Sequence, residues 1–122
     1  MTKESKYSSK TQFSDWLRKQ KELDSSDGFV TTDLDYIWEN YKSGKWMFIE
    51  EKRGITITST RPQRRIFKRL HNLCRKDKMY KGFHEVCFSE TNPDDGKIYI
   101  NNIEVTKEDL IKFLKFELTW KK

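Results

Sequence analysis

At 122 residues the chain has room for one domain around a single modest core; two domains would each be too small to hold one. With hydrophobic residues at 34%, charged residues at 36% and a net charge of +6, it is apolar enough to fold, heavily solvated, and suited to an anionic partner. No stretch approaches the roughly 20 apolar residues of a membrane span, and the opening MTKESKYSSK lacks a signal peptide's apolar segment, so no membrane partner is expected and the cytoplasm is the expected compartment.

Residues 1–10 read as a flexible polar tail, leaving 11–122 as a single expected domain. Phe13, Trp16, Leu17 and Leu23 recur at helical spacing and predict a first helix of about three turns, which Ser25-Ser26-Asp27-Gly28 breaks. The stretch FVTTDLDYIWENYKSGKWMFIEEK, residues 29–52, holds two alternating β-branched and aromatic runs around a Lys-Ser-Gly turn. That pattern predicts a hairpin with strands over 33–40 and 45–52, followed by a short extended piece at 55–58.

Thr60 or the Arg61-Pro62 pair then opens a helix whose Ile66, Phe67, Leu70, Leu73 and Cys74 form one apolar stripe. Between Arg61 and Gly82 stand nine Lys or Arg against one Asp, a local +8 that leaves −2 for the rest of the chain. A loop over 76–82 leads to Glu85-Val86-Cys87-Phe88 and, past the turn signal NPDDG, to KIYINNIEV as a second hairpin candidate. Thr106 with Asp109 is a capping-box-like start for a last helix carrying Leu110, Ile111, Phe113 and Leu114. Cys74 and Cys87 read as buried thiols with no disulfide partner, the four Trp as core, and His71 and His84 as surface or satisfied core residues.

The hairpin carries the chemistry. Strand side chains alternate faces, so Glu50 and Lys52 share one side and Glu51 takes the other; Asp33 and Asp35 likewise share a face. With a four-residue loop Asn40 pairs with Lys45 and Asp35 falls opposite Glu50; a two-residue loop shifts the pairing by two and keeps the same faces together. Two carboxylates and a lysine therefore converge. The competing reading is a solvated hairpin face with ordinary cross-strand ion pairs. Converging carboxylates are costly to desolvate unless a cation or the lysine offsets their charge, and magnesium, held by one or two carboxylates and several waters, is the natural cation.

Asp35, fourteen residues, then Glu50-x-Lys52 at the end of an apolar strand resembles the PD-(D/E)XK nuclease superfamily, and Gln63-x-x-x-Phe67 at the head of a basic helix looks like its QxxxY-type extension. The element order is similar to the αβββαβ core of restriction-endonuclease-like folds, which implies an α/β domain with a small mixed sheet flanked by helices. The resemblance implies that Asp35 and Glu50, or Asp33 in place of Asp35, hold Mg2+ with the Glu51 carbonyl, Mn2+ substituting. It further implies that Lys52 serves the nucleophilic water and that Gln63 positions the site. Proline of the PD motif is replaced by Thr, with two candidate aspartates in TTDLD, and the tyrosine of QxxxY by Phe67.

The expected function is magnesium-dependent hydrolysis of DNA phosphodiester bonds by a small phage or prokaryotic stand-alone enzyme. Arg61, Arg64, Arg65, Lys68 and Arg69 would contact backbone phosphates. A homodimer is a further expected partner. The alternative is a non-catalytic nuclease-fold protein acting as a DNA-binding factor or a phage inhibitor.

Overall fold

In the computed structural model, residues 12–53 and 61–118 are described, without the side chains of Arg61 and Pro62. The tail expected at 1–10, the extended piece at 55–58, the Thr60 cap and Trp120 lie outside the described residues. The chain divides into two compact units, 1–31 and 32–122. The first contains α1 (Gln12–Arg18) and two 3-10 turns, Lys21–Leu23 and Ser25–Asp27. The three-turn helix expected there is shorter, because the chain tightens into 3-10 turns from Lys21 and Gly28 closes the second at φ 97°.

In the second unit an α/β fold forms from a five-stranded mixed sheet with a helix on each face: β1 (Tyr36–Glu39), β2 (Trp46–Arg53), α2 (Arg61–Cys74), β3 (Tyr80–Phe88), β4 (Ile98–Ile100), β5 (Ile103–Val105) and α3 (Lys107–Leu114). The strands stand in sequence order, β2 parallel to β3 and every other pair antiparallel. A parallel pair needs a long crossover, and α2 supplies it.

The first hairpin closes as the four-residue loop requires. Asn40 donates its N–H to the Lys45 carbonyl, and its Oδ1 accepts from the amides of Lys42 and Ser43, an Asx turn that fixes the loop. The β4–β5 connection is tighter. Ile100 pairs with Ile103, and Asn101 and Asn102 between them take φ of 51° and 69°. Two consecutive left-handed residues make the I′-like turn that suits strand twist, and Asn is the non-glycine residue that adopts it most readily. The expected second hairpin is thus a meander of three strands.

The core lies on the α3 side, where Met47, Ile49, Val86, Phe88, Ile98 and Ile100 meet Leu110 and Phe113. Each such side chain contributes about 1.5–3 kcal/mol relative to exposure. Thr106 caps α3 with both capping-box bonds: its hydroxyl accepts from the Asp109 amide at 3.0 Å, and Asp109 accepts from the Thr106 amide at 3.4 Å. On the other side of the sheet Phe67 of α2 stacks at 4.4 Å on Phe83, beside Phe48, Tyr80 and Trp46.

A bulge makes this second layer possible. Trp46 pairs with Tyr80 and Phe48 with Phe83, so β3 carries one extra residue there. Without it Tyr80 and Phe83 would face opposite sides; with it both face α2. Gly82 takes φ 108° in the bulge, and a Cβ on it would meet His84 Nε2 at 2.9 Å. The loop expected over 76–82 therefore ends at Tyr80, where the strand already begins.

Several side chains depart from expectation. Leu73, assigned to the apolar stripe of α2, is exposed, while His71 is half-buried and shares a 2.8 Å hydrogen bond with the Tyr80 hydroxyl. Burial pushes Tyr80 up to about 12, with Cys74 adding to the shift, so the phenol keeps its proton. Trp16 and Trp38 are exposed, and Trp38 Nε1 donates to the Leu114 carbonyl; an indole N–H needs a partner more than its ring needs burial. Cys74 and Cys87 form no disulfide and are half-buried. Among the described residues no helix is long and apolar enough to cross a membrane.

Candidate functional site

β1 and β2 diverge where the acidic residues begin. The ladder runs from Glu39–Trp46 to Tyr36–Ile49, and the same register continued by one residue sets Asp35 opposite Glu50. Asp35 donates its N–H to Glu50 Oε1 at 2.9 Å, and Asp35 Oδ2 accepts the Glu51 N–H at 2.8 Å. The Asp35 side chain thus takes the amide that the next ladder rung would have used. That is why the strand expected from residue 33 starts at Tyr36, and why Asp33 stays exposed in the segment before it. Of the two aspartates in TTDLD, the fold brings Asp35 to Glu50.

Glu50 is 2% exposed, the one charged residue in the core of β2. Lys52, on the same face, sets its Nζ 3.4 Å from Glu50 Oε2 and is itself largely buried. Burial raises the Glu50 carboxyl above the usual glutamate range; the Asp35 amide and Lys52 oppose that shift and the Asp35 charge adds to it. A carboxylate this deep is not part of a solvated ion-paired face.

The Glu51 side chain takes the opposite face, where Oε1 accepts from the Tyr36 hydroxyl at 2.9 Å. It lines a mostly apolar cavity of about 330 Å3 with Tyr36, Trp38, Val86 and Leu114, so Glu51 can serve the Glu50 side of the sheet through its backbone alone.

Sequence reading missed Glu85. In the parallel register Glu50 pairs with Glu85 and Lys52 with Cys87, on the α2 face of the sheet. The alternation in EVCF gives the shared face of Glu85 and Cys87, but their neighbours on β2 depend on the Gly82 bulge, which no spacing reveals. Asn101 fixes this stretch: its Oδ1 accepts the Glu85 amide at 3.1 Å and its Nδ2 bonds His84 Nδ1 at 2.9 Å. His84 Nε2 hydrogen-bonds the Lys81 carbonyl at 2.8 Å, so both ring nitrogens are used.

α2 runs back along β2 and β3, from Arg53 toward the Tyr80–Trp46 end where His71 meets Tyr80. Gln63 lies half-buried one turn before Phe67, about 6 Å along the axis. Glu50 and Glu85 lie two residues beyond Phe48 and Phe83, about 6.6 Å along the strands. Gln63 thus precedes Phe67 in the direction in which Glu50 and Glu85 follow Phe48 and Phe83. Arg64, Arg65, Lys68 and Arg69 are exposed on the same helix, and the Arg61 side chain lies outside the described residues.

Among the described residues no group of three or more His, Cys, Asp and Glu side chains is disposed to hold a metal ion. The donors offered by Asp35 and Glu50 are two carboxylates, the hard oxygen ligands that magnesium takes in ones and twos. Each oxygen of a carboxylate has lone pairs beyond the one given to an N–H. Asp35, Glu50 and Lys52 together sum to −1, and that deficit with the deep burial of Glu50 suits a divalent cation.

No family model matches the chain, and no solved structure matches it. An uncharacterised protein of Archaeoglobus fulgidus is 29% identical over 110 residues, an alignment that covers 83% of this chain and 72% of that protein.

Proposed function

We propose that this chain is a magnesium-dependent DNA nuclease of PD-(D/E)XK type. The reading is carried by one observation, the convergence of Asp35, Glu50 and Lys52 at the carboxyl end of β2, with Glu50 2% exposed. Open α/β sheets take their ligands outside the carboxyl ends of parallel strands, and β2 and β3 end there together.

Asp35 and Glu50 would hold the cation, with the Glu51 carbonyl as a third donor. When bound, magnesium supplies Lewis-acid polarisation of the phosphate and acidifies a water. The Lys52 ammonium orients the attacking water and offsets the charge that develops on phosphorus-bound oxygen. The water oxygen forms the new bond to phosphorus and gives its proton to solvent, while the ester bond breaks with its electron pair going to the departing sugar oxygen, which takes up a proton from solvent. Gln63 would help position the site from the head of α2. Arg64, Arg65, Lys68 and Arg69 neutralise backbone phosphates along α2, with Arg61 at its head.

The test uses labelled linear, circular, single-stranded and branched DNA with Mg2+ or Mn2+. Wild type cleaves; Asp35→Ala, Glu50→Ala and Lys52→Ala do not, and Lys52→Ala still binds DNA. Mg2+ raises the melting temperature of wild type and not that of Asp35→Ala or Glu50→Ala. DNA binding without cleavage, unaffected by either carboxylate, would mark a non-catalytic nuclease-fold protein instead.

A further inference from the structure

The three polar contacts that hold the acidic cluster are not alike. Glu50 Oε1 is committed to the Asp35 amide and Asp35 Oδ2 to the Glu51 amide, at 2.9 and 2.8 Å. Both tie a side chain to a backbone amide of the facing segment, so they fix each carboxylate against the neighbouring chain. The third contact, Lys52 Nζ to Glu50 Oε2, is longer at 3.4 Å and is made by a side chain with a rotatable four-carbon stem. Glu50 Oε2 is therefore the oxygen of that carboxylate that a ligand reaches by displacing one flexible group.

We propose that Lys52 is an internal stand-in for the cation. It occupies Glu50 Oε2 in the metal-free protein and gives that oxygen up when a divalent ion binds. The inference rests on the cation-dependent reading of this site and adds regulation to it. In the metal-free state the lysine charge offsets the buried Glu50 carboxylate, which would be costly to leave alone. The same charge, left within a few ångströms of an incoming divalent ion, opposes its binding. Release then frees the ammonium for the water and phosphate, so the group that neutralises Glu50 is armed by the loss of its partner. Lys52 thereby weakens cation affinity even as it serves the reaction.

Calorimetric titration with Mn2+ alone tests this on wild type, Lys52→Met, Lys52→Gln and Lys52→Arg. Both neutral variants bind Mn2+ about tenfold more tightly than wild type, from loss of one nearby positive charge. Their metal-free melting temperatures fall, their Mn2+-induced rises exceed that of wild type, and Lys52→Arg binds no more tightly than wild type. Should the neutral variants not fold, reductive methylation of wild type read by peptide mass spectrometry decides: Mg2+ speeds modification of Lys52 if the amine is released. Equal or weaker Mn2+ binding by folded neutral variants, or a methylation rate unchanged or slowed by Mg2+, overturns the stand-in role and leaves the nuclease reading intact. A wild-type protein that binds no divalent ion overturns both.

Discussion

At the scale of single residues, the placement of Glu50 gives the unit a stability contribution that depends on pH. Its carboxyl is raised above the usual range, so between the unfolded and folded values the native state binds more protons than the unfolded chain. In chelator-treated buffer this contribution is fully present below the unfolded value and lost as pH rises through the folded one. Urea denaturation at stepped pH should show that falling slope in wild type and its absence in Glu50→Gln, whose amide is neutral throughout; matching slopes would refute the assignment. Much of this site is legible in the sequence. Period-two alternation and a four-residue loop suffice to set Asp35 against Glu50 with Lys52 alongside. Asp35 taking the Glu51 amide is not legible, because side chains that replace a ladder bond leave no periodic trace. Nor is Glu85, whose proximity comes from a parallel partner 35 positions away in register.

Among the elements, those specified by local rules match their sequence signals and those specified by packing do not. Thr106 and Asp109 make the capping box their spacing promises. Thr106→Ala should cost about 1 kcal/mol, measured by urea denaturation, because it strands an amide of the first turn of α3. The second and third strands of the meander are harder to read, since Asn101-Asn102 announces a turn less loudly than Asn-Gly does. On α2 the apolar periodicity includes Leu73, yet the face that meets β3 is centred on Phe67 and His71, and a leucine further round the helix stays in water. Sequence periodicity defines a stripe; the partner surface chooses its edges.

For the molecule as a whole, charge is distributed so that one layer is cationic while the cluster beneath it is anionic. Arg64 and Arg65 stand exposed near the start of α2, at the end of the sheet where Glu50 and Glu85 lie. Reversing both to Glu should weaken DNA binding alike for unrelated sequences. It should also flatten the dependence of log affinity on log salt by about 2, one unit for each phosphate no longer neutralised. Fluorescence anisotropy at several salt concentrations measures this, and an unaltered slope would remove the two arginines from the phosphate footprint. The architecture that separates these layers depends on Gly82. Along β3 the letters alternate between two texts, Val86 and Phe88 spelling the interior and Glu85 and Cys87 the ionisable surface. The extra residue at the bulge sets the reading frame for both. Removing one position between Tyr80 and Phe83 would transpose them, driving a carboxylate and a thiol into the hydrocarbon layer and presenting valine and phenylalanine to Glu50. Length, more than composition, is what this stretch must keep.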